Sequence, residues 1–442
     1  MSAARPSVPR SPALPRPRRR SARERETVRS RRGGNRLKTF DPEAATAAYL
    51  ATLSPDAHAR ATAYTQGGHW LILWTAVVGV AAYWLILRSG LLVRLRDRLE
   101  GRGVGPVRTS IAVLALALIA ETVLNLPWAA WSDWAREKAY GLTSQAFVGW
   151  LGEYLVYALI WVVTSTLLAA GVYALIRRSP RLWWAWSGAL VSLVFVLSLL
   201  VWPVFIDPLF NRYVPAPPGP VRDAVVALAE ANGVPADRIF IYDGSRQSNR
   251  YTANVSGLLG SARIAMSDVM FQKDADIAEV RAVVGHEMGH YVLGHVWWRA
   301  GFLSVMAVLA LLLVDRLFPL AARWLGASGV RGLSDPAGYP VLGAMIVVLG
   351  LVGNPVVASF SRWAEVESDR FSLERAREPD GLARALVKTI EYRAATPGRL
   401  EEILFYTHPS VGSRVRMAMD WKAAQQAEPM PVTLVRPGDL GR

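Results

Sequence analysis

Residues 281–295 read RAVVGHEMGHYVLGH and hold three of the six histidines in a chain of 442 residues. His286 and His290 are four apart, so on a helix both imidazoles leave the same face and can reach one ion. Glu287, beside the first, is placed to take a proton from water that the ion polarises rather than to bind the ion itself. The chain has no cysteine, which excludes disulfides and thiolate metal sites and leaves nitrogen and oxygen as the only ligands. Zinc is the ion expected, since imidazole and carboxylate ligands with an open water position are its catalytic habit. It would bring the pKa of a bound water near ~7. Glu287 would deprotonate that water as it attacks a carbonyl carbon and pass the proton to the leaving amine. The reaction implied is peptide-bond hydrolysis. The plain alternative, two histidines on a solvated helix face, sits poorly with so sparse a supply of histidine.

His295 does not complete an extended three-histidine pattern, in which the third ligand falls six residues after the second. That position is Val296, and Gly294 stands one place late for the turn. The spacing predicts that the helix Ile277–Val296 runs on toward the next apolar stretch, with His295 a support residue and not a ligand. Further along, SRWAEVESDRFS (361–372) sets Glu365 and Asp369 four apart on one helix face. A charged run of this kind is often a solvated helix, but this one begins directly after an apolar stretch and so lies at the same interface as the histidines. Glu367 is turned about 200° from Glu365.

Around these segments the chain is built for a membrane. Fifty-two per cent of residues are apolar and seventeen are Trp. Six runs approach or exceed the length that crosses ~30 Å of hydrocarbon: Trp70–Leu87, Ser110–Trp131, Phe147–Ile176, Trp183–Ile206, Gly301–Phe318 and Val341–Phe360. Trp183, Trp184, Trp186, Trp202, Trp297 and Trp298 crowd their ends, as expected at headgroup level. Buried helices of a soluble domain rarely run so long with so little charge. Glu121, Asn125 and Glu153 interrupt the apolar runs, and such groups normally face a bundle interior or cavity, or join helices by hydrogen bonds.

The organisation expected is a basic arm over 1–40, a membrane domain with four spans over 41–207, and a first catalytic half over 208–298. Two further spans follow over 299–360, then a second catalytic half over 361–428 and a tail over 429–442. In the first half, PVRDAVVALAEANGV reads as a helix ending at Gly, and RIFIYDGS and ARIAMSD read as short strands. The net charge of +15 is concentrated in the arm, where about a dozen arginines between Arg5 and Lys38 face only Glu24 and Glu26. Its composition cannot bury a core. It reads as a cytoplasmic retention signal touching anionic lipid rather than as a specific nucleic-acid binder.

Five blocks in order resemble the CAAX prenyl protease 1 family of integral-membrane zinc metalloproteases and its bacterial HtpX-type relatives. They are DPLFNRYVP (207–215), DGSRQSNRYTANVSG (243–257), HEMGHYVLGH (286–295), SRWAEVESDRFS (361–372) and HPSVGSRV (408–415). The resemblance implies an all-α polytopic membrane protein with about six transmembrane helices. Its gluzincin-like α+β zinc protease domain would be built from a small sheet and helices on both sides of the last two spans, with an intramembrane chamber enclosed by the helices. It implies one Zn2+ per chain held by His286, His290 and Glu365, with Glu287 as general base. Asp369 would orient a ligand histidine, and Asn254 would lie on the edge strand that holds the substrate backbone. His408 would stabilise the oxyanion, with Arg414 supporting it.

The resemblance also implies peptide or protein substrates at the lipid bilayer, either C-terminally lipidated CAAX-type proteins or, in the HtpX manner, damaged membrane proteins. Eukaryotic members have seven spans, and the first is expected to be replaced here by the arm. An even number of spans before the catalytic block puts arm and active site on one side, expected to be the cytoplasm. The six arginines of Arg88–Arg108 and the three of RRSPR (177–181) pull the other way. A transporter taking the metal as cargo would have no use for Glu287 and shows no paired half-helices. A site-2-type protease would carry its histidines inside a span, not in the charged block before one.

Overall fold

The structure, a computed structural model, describes residues 40–257, 262–272, 275–390 and 393–427. The expected arm, apart from Phe40, and the tail over 429–442 lie outside the described residues. The chain opens with α1 (Pro42–Leu50) and then α2 (Pro55–Ser89), which begins with Ser54 accepting a hydrogen bond from the Ala57 N–H and ends at Gly90 in the left-handed region. After α3 (Leu91–Gly101) comes α4 (Pro106–Ala129), continued by a π turn (Ala130–Ala135) and a short α turn (Arg136–Ala139). α5 (Phe147–Arg178) and α6 (Trp183–Val201) follow, the latter prolonged through a second π turn to Phe210. Prolines at 127 and 203 remove backbone donors at or next to the two π turns.

A four-stranded sheet and its helices then leave the apolar layer. They are β1 (Tyr213–Pro215), α7 (Pro220–Ala231), β2 (Ile239–Tyr242), β3 (Ala253–Ser256), β4 (Arg263–Ser267), α8 (Asp268–Gln272) and α9 (Ile277–Val292). The sheet order is β1-β2-β4-β3. β2 and β4 run parallel, while β1 and β3 flank them antiparallel, so among the described residues β3 has one paired side and one open side. The chain returns to the membrane as α10 (His295–Leu325) and α11 (Tyr339–Arg375), and closes with α12 (Pro379–Lys388), α13 (Arg399–Phe405) and α14 (Val411–Ala427).

Six of these helices are long and apolar enough to cross a membrane: Pro55–Ser89, Pro106–Ala139, Phe147–Arg178, Trp183–Phe210, His295–Leu325 and Pro336–Arg375. Each outruns its apolar stretch, because polar first and last turns continue the same backbone hydrogen-bond ladder. In α11 this has a use: the helix crosses the apolar layer and runs on to carry Glu365 and Asp369. Glu121 and Asn125 line a cavity of about 450 Å³ between α2, α4 and α11, together with Tyr83, Asp133 and Asn354. Glu153 has another task, accepting hydrogen bonds of 3.0 Å from both Arg246 and Gln247 in the loop before β3.

One expectation fails. The helix of the histidines does not run to Val296; it stops at Val292, and Gly294 at φ 67° turns the chain before α10 starts at His295. Only glycine takes that conformation cheaply.

The sheet core, with Ile264, Met266, Met270, Val280, Val284 and Met288 almost fully buried, packs under α9. α12 seats against the start of α9 at Gly381, where an added methyl would lie 2.4 Å from the Ala278 carbonyl oxygen. Backbone cannot yield as a side-chain tip can. Gly381→Ala should therefore cost about 1–3 kcal/mol, read as a lower thermal denaturation midpoint of the purified chain; an unchanged midpoint would show that the two helices can separate freely.

Candidate metal centre

α9 starts from Asp276, whose carboxylate accepts from the Glu279 N–H at 2.8 Å. Its buried stripe of Val280, Val284 and Met288 faces the sheet, and this orientation turns Gly285 and Gly289 toward α11. The approach is close. A methyl on Gly289 would sit 3.0 Å from Ser368 Cα, and one on Gly285 would sit 3.1 Å from Ser372 Oγ. Two bare turns of helix thus let α9 and α11 touch backbone to backbone.

Across this contact His286, His290 and Glu365 each offer one ligand atom, all within 4.8 Å of one another. His286 Nε2 lies 3.2 Å from Glu365 Oε2, and His290 Nε2 lies 3.5 Å from Glu365 Oε1 and 3.3 Å from His286 Nε2. The other face of His286 is fixed: its Nδ1 is 2.8 Å from Asp369 Oδ1. Asp369, with no exposed surface, also accepts two hydrogen bonds of 2.7 Å from Arg414 on α14.

This donor set fits a divalent cation. With the His286 proton at Nδ1 facing Asp369, its Nε2 lone pair is aimed at a carboxylate oxygen, and Glu365 Oε2 is buried with no hydrogen-bond partner among the described residues. Lone pairs set face to face require a positive charge between them. Burial alone would lower the His286 pKa, but the carboxylates of Asp369 and Glu365 on its two sides outweigh burial and push the pKa up to about 10.

The remaining residues singled out in the sequence gather round this triad. His290 Nδ1 faces His295 Nδ1 at 3.0 Å, and Ser368 Oγ is 3.3 Å from the same atom. The turn at Gly294 is what folds His295 back; it meets the side of His290 away from Glu365. Glu367 faces outward and pairs with Arg370 at 2.9 Å. His408 Nε2 is 3.2 Å from Glu365 Oε1, and burial together with the charge of Arg393 lowers its pKa to about 3. Burial raises the pKa of Glu287, with the positive neighbours His286 and His290 opposing. Asn254 sits on β3, paired with Ala265 on the closed side of the strand, and its Oδ1 accepts from Ser256 Oγ at 3.2 Å.

Two cavities meet at Glu365. One of about 170 Å³ is lined by Tyr251–Ala253, Glu287, His408 and residues of α12. The other, of about 750 Å³, is lined by Val255–Gly257, His290 and apolar residues of α6 and α11.

Two family models match the chain in tandem: the CAAX prenyl protease N-terminal part with five membrane helices over residues 39–212, and peptidase family M48 over residues 215–422. The chain belongs to this family. It is a multi-pass membrane metalloendopeptidase, and family M48 implies a metal cofactor. The chain is similar to the uncharacterized metalloprotease YhfN of Bacillus subtilis, 26% identical over 353 residues that cover 77% of this chain and 81% of that one. It is similar also to the CAAX prenyl protease 1 homolog of Arabidopsis thaliana, 25% identical over 321 residues, 70% and 72% of the two chains. In fold it matches the crystal structure of S. mikatae Ste24p with a TM-score of 0.71 at 19% identity, covering 83% of this chain and 90% of that chain. Where the family description counts five membrane helices, four helices described within 39–212 are long and apolar enough to span.

Sequence reasoning passed over Gly285, Gly289 and Ser368 in this M48 peptidase. The signal was present as two glycines four apart, the small-residue spacing that lets helices approach closely. Gly289→Ala should push α9 from α11 and reduce the metal retained per chain after dialysis, although no ligand is altered. Metal analysis at the parent level would show that the close approach is dispensable.

Proposed function

We propose that this peptidase uses one zinc ion, held by His286, His290 and Glu365, to cleave membrane-associated polypeptides on the cytoplasmic face, C-terminally lipidated CAAX-type proteins among them. The observation that carries the reading is the convergence of those three side chains beside Glu287, which lines the smaller cavity with His286 and Glu365. Zinc bound there supplies a Lewis acid for the carbonyl and lowers the pKa of water.

The chain's own groups do the rest. Asp369, held by Arg414, fixes the His286 ring so that Nε2 keeps its lone pair toward the site. His295 does the corresponding work at His290 Nδ1. Glu287 takes the proton of the attacking water and returns it to the leaving amine; its raised pKa suits both halves of that task. His408, kept neutral by burial, has an N–H to offer the developing oxyanion. The open side of β3, with Asn254 at its centre, receives the substrate backbone as an added strand.

Support for the substrate class comes from the names of relatives such as the Arabidopsis CAAX prenyl protease 1 homolog, and from a site set at the ends of membrane helices. Support for the cytoplasmic side comes from the loop arginines themselves. Arg96, one of the six, is buried and pairs with Asp335, so it has a packing role that its count as a topological charge leaves out.

Glu287→Gln should retain zinc and lose hydrolysis by at least two orders of magnitude. Glu365→Ala should lose both, while His295→Ala keeps most of the metal. Zinc per chain and peptide turnover in the three purified variants decide the matter: full zinc in Glu365→Ala with loss in His295→Ala would overturn the ligand set. A reporter that works only in the cytoplasm should be active when fused after Arg442, and activity only of a reporter for the opposite side would invert the topology.

A further inference from the structure

His408 reaches the metal centre from a loop, not from a helix: its Nε2 lies 3.2 Å from Glu365 Oε1, between the end of α13 and the start of α14. Both ends of that loop are tied to one residue. Glu402 accepts the Tyr406 N–H on its carbonyl oxygen at 3.2 Å and the Ser410 N–H on its carboxylate Oε1 at 3.0 Å. A shift of Glu402 therefore carries His408 with it.

Glu402 is located in turn by Arg362. One guanidinium nitrogen, Nη1, donates to the Glu402 carbonyl at 2.8 Å and also to the Tyr406 carbonyl, while Nη2 donates to Ser359 Oγ at 2.8 Å and so keeps the side chain from swinging away. A cationic side chain on the last carbonyls of a helix is a favourable partner for them. Arg362 belongs to α11 and stands three residues before Glu365, so the two leave neighbouring turns of one face. One helix thus carries both a proposed metal ligand and the group that fixes the histidine loop against it. α13 has other holds. Asn354 donates to the Leu404 carbonyl at 3.1 Å, and His69 of α2 lies 3.3 Å from Glu401 Oε1 with its ring stacked on Phe405 at 4.5 Å between centres. Without Arg362 the helix stays docked, but the loop loses its register on α11.

We infer that Arg362 is a positioning residue for His408, holding the imidazole at donor distance from the developing oxyanion through the carbonyls of Glu402 and Tyr406. The inference rests on the proposed role of His408 and adds the residue through which that role is set. Its effect falls on kcat and not on substrate binding, because the oxyanion forms only once the carbonyl is attacked.

The test uses the full-length zinc-loaded chain in detergent and the fastest-cleaved member of a quenched fluorescent peptide set with and without a lipidated carboxy-terminal cysteine. His408→Ala should lower kcat about a hundredfold, the loss of one oxyanion donor. Arg362→Met should lower kcat about ten- to hundredfold, the scale of a misplaced catalytic group, with KM and zinc per chain at the parent level. The two changes together should be no slower than His408→Ala alone, since a histidine that is absent cannot be misplaced. Arg362→Lys keeps the charge and one carbonyl within reach and should recover part of kcat; the same cycle run on it decides the matter should Arg362→Met fail to fold. Losses that multiply in the double variant would overturn the inference, as would parent kcat in Arg362→Met or zinc lost along with activity. Parent kcat in His408→Ala would defeat the oxyanion role, and the inference with it, while leaving the ligand set intact. A parent chain that cleaves no peptide would defeat the peptidase reading itself.

Discussion

A carboxylate sealed from solvent is the constraint on which the catalytic half depends. Asp369 has no exposed surface, and a buried charge without partners costs several kcal/mol. It is satisfied by Arg414 and His286, which lie 45 and 83 residues away in the chain. Those partners sit on α14 and α9, on either side of two membrane helices in the sequence. The site is therefore complete only after α14 has docked. That docking is secured in turn by Lys422, whose ammonium reaches both oxygens of Asp380, and by Tyr49 of α1, which donates to the same carboxylate at 2.7 Å.

The membrane helices do more than anchor. Glu153 of α5 holds Arg246 and Gln247, and Arg250 pairs with Glu137 at the end of α4, with the Tyr64 hydroxyl donating to the same carboxylate. These bonds grip the loop that delivers β3. The open side of the strand therefore takes its position from helices inside the apolar layer as much as from its pairing with β4.

The setting of His286 and His290 on one helix face, the six long helices and the placement of Glu365 and Asp369 on one face were legible because each depends on local periodicity: apolar length for the spans and one-turn spacing for the paired side chains. β2, β4 and α7 were legible for the same reason. What escaped depends on partners far away in sequence. The spacing of Gly285 and Gly289 hints at a close helix contact but not that Ser368 is the partner, and nothing local marks Gly294 as the turn that ends α9, because a single glycine is compatible with a continuing helix. β3 was reached only through resemblance, since four residues of strand carry too little pattern to be read alone. Glu153 looked like a chamber residue because its partners, Arg246 and Gln247, arrive some 93 and 94 positions later.

α11 crosses the apolar layer and reaches Glu365 without a break. From Phe360, the last residue of its apolar stretch, to Glu365 is five residues, a rise of about 7.5 Å. The helix therefore acts as a fixed post that sets the height of the reactive centre above the hydrocarbon. A bond several turns farther from the bilayer is out of reach, however well its sequence suits the groove, unless its chain bends down to the surface. A tail tethered close to the headgroups is held at the working height by its anchor. Selection by elevation needs no recognition of side chains and acts before any contact with β3 is made.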